Sequence, residues 1–158
     1  MAASEEKFMR QAIALALKNV RSGAGGPFAA LIVKDGAVIA QGTNLVTSTN
    51  DPTAHAEIVA IREACSALKS FQLQGCELYS TCEPCPMCLG AIYWARPERI
   101  FYAATHVEAT AAGFDDQFIH EEMNRPTGQR RIPTRQILHD ESQVIFAAWA
   151  AQENKQSY

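Results

Sequence analysis

The sequence predicts an α/β domain, with helices alternating with the strands of one sheet. Three observations carry this. The chain has 158 residues, enough for a single core in one domain. Two apolar runs, Phe28 to Val33 and Ala37 to Ala40, join at Asp35-Gly36, a dipeptide favoured in tight hairpin turns. Further on, Glu77 to Thr81, a helix opening near Cys85, and Ile100 to Ala104 follow one another by short links. Strand, helix, strand in that order is a parallel crossover unit.

The elements follow in order. Ser4 is a candidate cap for a first helix whose first turn carries Glu5 and Glu6, where acids suit the helix dipole. Phe8, Met9, Ala12, Ile13, Ala16, Leu17 and Val20 recur on it at helical spacing, and Gly23 to Pro27 ends it. The hairpin comes next, then a polar loop from Thr43 to Thr53. Thr53 is a candidate cap for a helix over Ala54 to Leu68, which puts His55 and Glu57 in its first turn. Pro84 stops the next strand, and the helix after it closes before Pro97. Beyond the crossover, Val107 to Ala112 reads as a short helix and Gly113 to Asp116 as a turn. Arg125 to Pro133 reads as a polar loop, Arg135 to Leu138 as a last strand, and Ser142 as the cap of a final helix through Trp149. Residues 1–158 contain no internal repeat, low-complexity tract or interdomain linker, so they read as one domain.

Composition narrows the function. Hydrophobic residues at 47% and charged residues at 20% are those of an ordinary soluble globular chain, not a fibrous or disordered one. A net charge of -3 argues against a general nucleic-acid binder, whose footprint is basic. The longest apolar stretch, Val144 to Ala151, falls far short of the ~20 residues of a membrane span. The first helix is amphipathic and does not read as a signal peptide. Cys82, Cys85 and Cys88 crowd together while Cys65 and Cys76 stand apart, which reads as metal chemistry in a reducing, cytoplasmic compartment.

The crowding has a specific form. Cys85 and Cys88 lie three apart on one helical face, where two thiols can share one metal ion. His55, at the start of another helix, supplies a third ligand. Three protein ligands leave a tetrahedral zinc one open position for water. Glu57, two residues from His55, stands beside the metal as a proton carrier rather than a ligand. Both ligand groups fall in first helical turns, where free N–H groups favour thiolate over thiol. Two alternatives stand beside this one. Cys82 could close the site as a fourth, structural ligand, or the C-x2-C-x2-C run could belong to an iron–sulfur cluster, though no fourth cysteine follows at suitable spacing.

His55-Ala56-Glu57 and Pro84-Cys85-Pro86-Met87-Cys88 resemble the H-x-E…P-C-x-x-C signature of the zinc nucleobase and nucleoside deaminases, the cytidine/deoxycytidylate deaminase-like superfamily. Within it the chain is similar, nearly end to end, to the bacterial-type guanine deaminases. The similarity includes Asn50 to Glu57, Cys82 to Pro97, Ala112-Gly113-Phe114-Asp115-Asp116 and a terminal Tyr158, and it is weakest from Arg125 to Gln156. The resemblance implies a three-layer α/β/α fold with a mixed five-stranded sheet flanked by helices. It implies one zinc ion per subunit on His55, Cys85 and Cys88, with Glu57 as the catalytic proton carrier. It also implies a homodimer in which C-terminal segments, about 135–158, are exchanged. The implied activity is hydrolysis of guanine to xanthine and ammonia. Asp116 would bind the substrate edge and carry a second proton, and Asn44, Ala56, Phe28, Trp94 and Tyr158 would complete the substrate site. The alternatives are a tRNA adenosine deaminase, for which Arg125, Arg130, Arg131 and Arg135 are the densest cationic run, and a non-catalytic zinc-stabilised binding module.

Overall fold

The computed structural model of the chain describes residues 2–114 and 116–158, with side chains from Ser4 onward; Asp115, read above as part of a turn, lies outside the described residues. The chain divides into two compact units, Met1–Gln117 and Phe118–Tyr158.

The first unit runs α1 (Ala2–Ser22), β1 (Ala29–Lys34), β2 (Ala37–Thr43), α2 (Val46–Thr49), α3 (Ala56–Leu68), β3 (Cys76–Cys82), α4 (Pro86–Ala95), β4 (Arg99–Ala104) and α5 (His106–Ala111). The sheet order is β2-β1-β3-β4. β1 is antiparallel to β2 and β3, and β3 is parallel to β4, so the sheet is mixed as expected. At the hairpin Asp35 and Gly36 both take positive φ, 49° and 74°, which a two-residue turn of the type I′ class requires.

Alternation along β1 builds three layers. Ala30 and Ile32 join a buried cluster with Ala56, Ala60 and Ala64 of α3, Leu78 of β3 and Ile92 of α4. Leu31 and Val33 point the other way, to Phe8 and Ala12 of α1 and Tyr79 of β3. The buried stripe of α1 is Phe8, Ala12, Ala16 and Asn19, whereas Ile13, Leu17 and Val20 are exposed. The apolar face is therefore rotated from the one read in the sequence, and its last buried member is polar.

The sheet has four strands among the described residues, not the five implied by resemblance. Residues 135–138, read as a last strand, join no ladder, and Leu138 takes the left-handed conformation at φ 53°. A strand exists only through its ladder, and a strand-like composition with no edge to pair against does not make one. Three caps also differ. Ser4 lies inside α1. Thr53 gives its N–H and hydroxyl to Asp51 Oδ1, at 2.8 and 2.7 Å, and His55 takes the cap position of α3. Ser142 lies inside the final helix and donates to His139 O at 2.6 Å.

The second unit holds α6 from Phe118 on (Gln117–Asn124), a 3₁₀ turn (Thr127–Gln129) and α7 (His139–Ala150). α6 was not read in the sequence. The arginine run is tied down locally. Arg125 pairs with Glu122 at 2.9 Å, Arg130 Nε donates to Arg125 O at 3.3 Å, and Arg131 lies over the Phe118 ring. On α7, Val144, Ile145 and Phe146 are each about two-thirds exposed.

One close approach sets where α3 sits. A Cβ on Gly42 of β2 would lie 2.1 Å from Ala56 O and 2.6 Å from Ala60 N. Only glycine lets the strand touch the helix backbone there. Gly42→Ala should cost about 1–3 kcal/mol through overpacking, lowering the melting temperature by roughly 2–12 °C. Thermal unfolding followed by circular dichroism measures it, and an unchanged melting temperature would mean that this contact does not hold α3.

Candidate active site

The first turns of α3 and α4 carry the chemistry. Their N-cap residues are His55 (φ -68°, ψ 154°) and Cys85 (φ -63°, ψ 166°), both extended, and neither side chain caps its own helix. They face each other instead: Cys85 Sγ lies 3.6 Å from His55 Nδ1. Pro86 follows Cys85 at the first helical position, where its missing N–H costs nothing and its fixed φ starts the helix. One turn into α4, buried Cys88 completes a group whose ligand atoms all lie within 4.8 Å of one another.

This spacing fits one zinc ion. Zn–S of about 2.3 Å and Zn–N of about 2.0–2.1 Å at a tetrahedral angle put sulfur and nitrogen about 3.6 Å apart. The charges fit as well. The Cys88 thiol and the His55 ring beside it hold the Cys85 thiol down to about 4. The bond from Cys85 raises His55. Cys88 is pushed up by the neighbouring Cys85 sulfur and by burial, so a dication bound here would displace its proton.

Cys82 stands outside this group. Its buried thiol donates to Thr105 O at 3.5 Å, and burial pushes it up to about 11. Among the described residues the cluster is His55, Cys85 and Cys88 alone, without the fourth ligand of a closed site.

Glu57 is buried in the first turn of α3. Its Oε1 accepts from Ser80 Oγ at 3.1 Å, and its Oε2 accepts from the Cys88 thiol at 3.5 Å. Burial raises its carboxyl above the usual carboxylate range. Ser80 was missed in the sequence. The available signal was its position on β3, two residues from core Leu78 and hence on the same face.

Ala56, Asn44, Phe28 and Asp116, also expected at the site, lie in the same unit. Ala56 is buried beside Glu57. Asn44 is buried, its N–H donating to Phe28 O at 3.1 Å. Phe28 meets Phe114 edge to face, 4.8 Å between centroids at 84°. Gly26 lies between them: a Cβ there would touch the Phe28 ring at 3.4 Å, Asn44 Cγ at 3.5 Å and the Phe114 ring at 3.5 Å. Phe114 was quoted only as part of a motif, with no role assigned. Asp116 has a buried Oδ1 with no hydrogen-bond partner among the described residues. Its charge is felt at His55, Cys82 and His106, so its carboxylate stands near the metal group.

One expected residue of this unit stands apart from the grouping. Trp94 is exposed near the far end of α4, about 12 Å along the helix axis from Pro86. Tyr158 is exposed at the end of the second unit.

Comparison with known proteins agrees with this geometry. Residues 2–104 match the family described as the cytidine and deoxycytidylate deaminase zinc-binding region. The guanine deaminase of Bacillus subtilis (strain 168) is 55% identical over 98% of this chain and 99% of its own. A crystal structure of guanine deaminase from Bacillus subtilis superposes with a TM-score of 0.95 at 56% identity, covering 97% of this chain and 98% of that one. A tRNA-specific adenosine deaminase of Aquifex aeolicus is 49% identical, but over only 49% of this chain and 52% of its own. With a matched region that spans well over half its length and contains the His55, Cys85 and Cys88 group, the chain belongs to the cytidine and deoxycytidylate deaminase family of zinc-binding proteins.

Proposed function

We propose that the protein hydrolyses guanine to xanthine and ammonia with one zinc ion held by His55, Cys85 and Cys88. The observation that carries this reading is the buried Glu57 carboxylate, hydrogen-bonded into the same ligand group and raised by burial. Its near-full-length similarity to a guanine deaminase supports the choice of base. When bound, zinc lowers the pKa of a water molecule to about 7 and so supplies a nucleophile at neutral pH. Glu57 takes a proton from the attacking water and returns it to a ring nitrogen next to C2. Asp116 binds the edge that carries the 2-amino group and carries a second proton to it. Ammonia leaves, and C2 keeps the oxygen. The unpaired Oδ1 of Asp116 supports this role, because a buried acceptor without a donor costs about 1–3 kcal/mol and guanine brings donors at N1 and the 2-amino group.

Asn44 reads the base edge with its amide, Phe28 offers a ring face, and Ala56 lies against the substrate at the start of α3. The enzyme works as a homodimer that exchanges C-terminal segments, with Trp94 and Tyr158 acting across the interface. Supporting this are the exposed Tyr93 and Trp94 of α4, Tyr102 of the edge strand β4, and the exposed apolar face of α7. A helix apolar on more than one side asks for cover on more than one side. A cytoplasmic setting suits the free thiols, and no helix among the described residues is long and apolar enough to cross a membrane.

An ammonia-release screen across guanine, adenine, cytosine and their nucleosides tests the substrate. Guanine should be the best substrate; the exchanged C-terminal segment would cap the partner's site and collide with a ribose, so guanosine turned over as fast as guanine would overturn that cap. Salt-sensitive tRNA binding at physiological salt would instead favour the adenosine deaminase reading. Glu57→Gln should lose activity by about 10²–10⁴-fold with zinc content and folding retained. A wild-type protein without activity for Glu57→Gln to lose would point to a zinc-stabilised binding module. Metal analysis separates the thiols: Cys85→Ser and Cys88→Ser should lower zinc stoichiometry, and Cys82→Ser should keep one zinc per chain. Light scattering reads the dimer directly, and a monomer at assay concentration would remove the exchange.

A further inference from the structure

The stripe that α1 buries is apolar until its last member. Asn19 is only 6% exposed, a polar end to the series Phe8, Ala12 and Ala16. Its amide nitrogen donates to Gly26 O at 2.9 Å and to Asn44 O at 3.0 Å. Main-chain carbonyls only accept, so the amide group must face them with both hydrogens. One buried side chain thereby joins the loop after α1 to the residue after β2.

These two segments are already in backbone contact. A Cβ on Gly25 would fall 1.9 Å from Asn44 O and 3.2 Å from Asn19 Nδ2. The backbone of Asn44 is held at both polar atoms, its N–H donating to Phe28 O and its carbonyl accepting from Asn19, and its side-chain Oδ1 accepts a longer contact from Val46 N at 3.4 Å. The carbonyl contact is the one that reaches outside the loop to a rigid helix. Without it the Asn44 peptide can tilt, and a base-reading amide is carried with it. An error of that kind weakens recognition while leaving the metal group, on α3 and α4, where it was.

We infer that Asn19 is a positioning residue for base recognition: its buried amide sets the pitch of the Asn44 peptide and so the aim of the Asn44 side chain at the substrate. This rests on Asn44 reading the base edge. It predicts a KM effect out of proportion to any kcat effect, transmitted through Asn44.

The test is a double-mutant cycle on the zinc-loaded enzyme with guanine: Asn19→Ala, Asn44→Ala and the pair, with melting temperature and zinc content measured for each. Asn44→Ala should raise KM by about tenfold or more, and Asn19→Ala should raise KM by about tenfold with kcat changed by less than about threefold. In the Asn44→Ala background the Asn19 substitution should move KM by no more than about twofold, although it still lowers the melting temperature. An Asn19 effect on KM of equal size in both backgrounds, or none in either, overturns the inference and leaves Asn44 in its role. An unchanged KM in Asn44→Ala overturns the reading of Asn44, and the inference with it. Should Asn19→Ala not fold, Asn19→Ser keeps one donor and leaves a smaller gap than a full deletion, and it enters the same cycle with the same criteria.

Discussion

Two helix beginnings meet over one face of the sheet, and the chemistry of the molecule depends on that meeting. His55 holds the N-cap position of α3 and Cys85 that of α4, and their side chains approach to 3.6 Å. A polar N-cap residue ordinarily turns back to its own N–H groups, worth about 1 kcal/mol. Here both residues forgo that bond and face each other. The helix ends compensate in part, because their free N–H groups and dipoles favour negative charge on the thiols gathered there. The packing that enforces the meeting is small: alanines 56, 60 and 64 of α3, with Ile92 and Ala95 of α4, share one cluster with β1 and β3.

Close backbone contact recurs wherever the site needs fixed geometry. Gly42 lets β2 touch the first turn of α3, which sets the height of His55 and Glu57 above the sheet. Gly25 lets the loop before β1 touch Asn44 O, which Asn19 then binds. Side chains at such contacts would be springs, able to change rotamer. Backbone against backbone has no such freedom. Hydrogen bonds at 3 Å between main chain and a buried amide hold it further. The metal group and Asn44 are thus anchored separately, the first through α3 and α4, the second through α1.

The parts of this arrangement that were legible in the sequence are those where residue type alone carries chemistry. Two cysteines one helical turn apart and a histidine next but one to a glutamate have few other uses together, and their helices were read at nearly the observed bounds. Asp116 and Tyr158 entered through family resemblance, since an acidic turn and a chain end are ordinary features. Ser80 and Asn19 were missed because each is polar for a neighbour far away in sequence: Glu57 for Ser80, Gly26 and Asn44 for Asn19. The cap errors share a cause with the site itself. Thr53 looked like a cap, but its donors go to Asp51, and the true cap position is held by His55, a poor capper retained for another task. The strand read over 135–138 failed for a different reason. β propensity is a statement about fitting a pleated surface, and nothing in the segment says whether a sheet edge is available to it.

The same separation bears on selectivity between bases. A buried carboxylate oxygen that finds no donor among the described residues is a demand a ligand can meet. Under the proposed reading guanine meets it, because N1–H and the 2-amino group both donate. Adenine presents an acceptor at N1, and lone pair against carboxylate is repulsive. Rejecting adenine then requires no steric wall: with its 6-amino group in place of guanine's 2-amino group it offers one donor and one lone pair where guanine offers donors on both positions, a penalty of about 1–3 kcal/mol for the unmade hydrogen bond. Sites built on a required hydrogen bond discriminate far more sharply than sites built on shape, by about 10⁴–10⁵ against 10–200-fold for one methylene. A zinc and a glutamate suffice for deamination of many rings; under the proposed reading it is Asp116, on the loop after α5, that narrows the choice to a ring with donors on that edge.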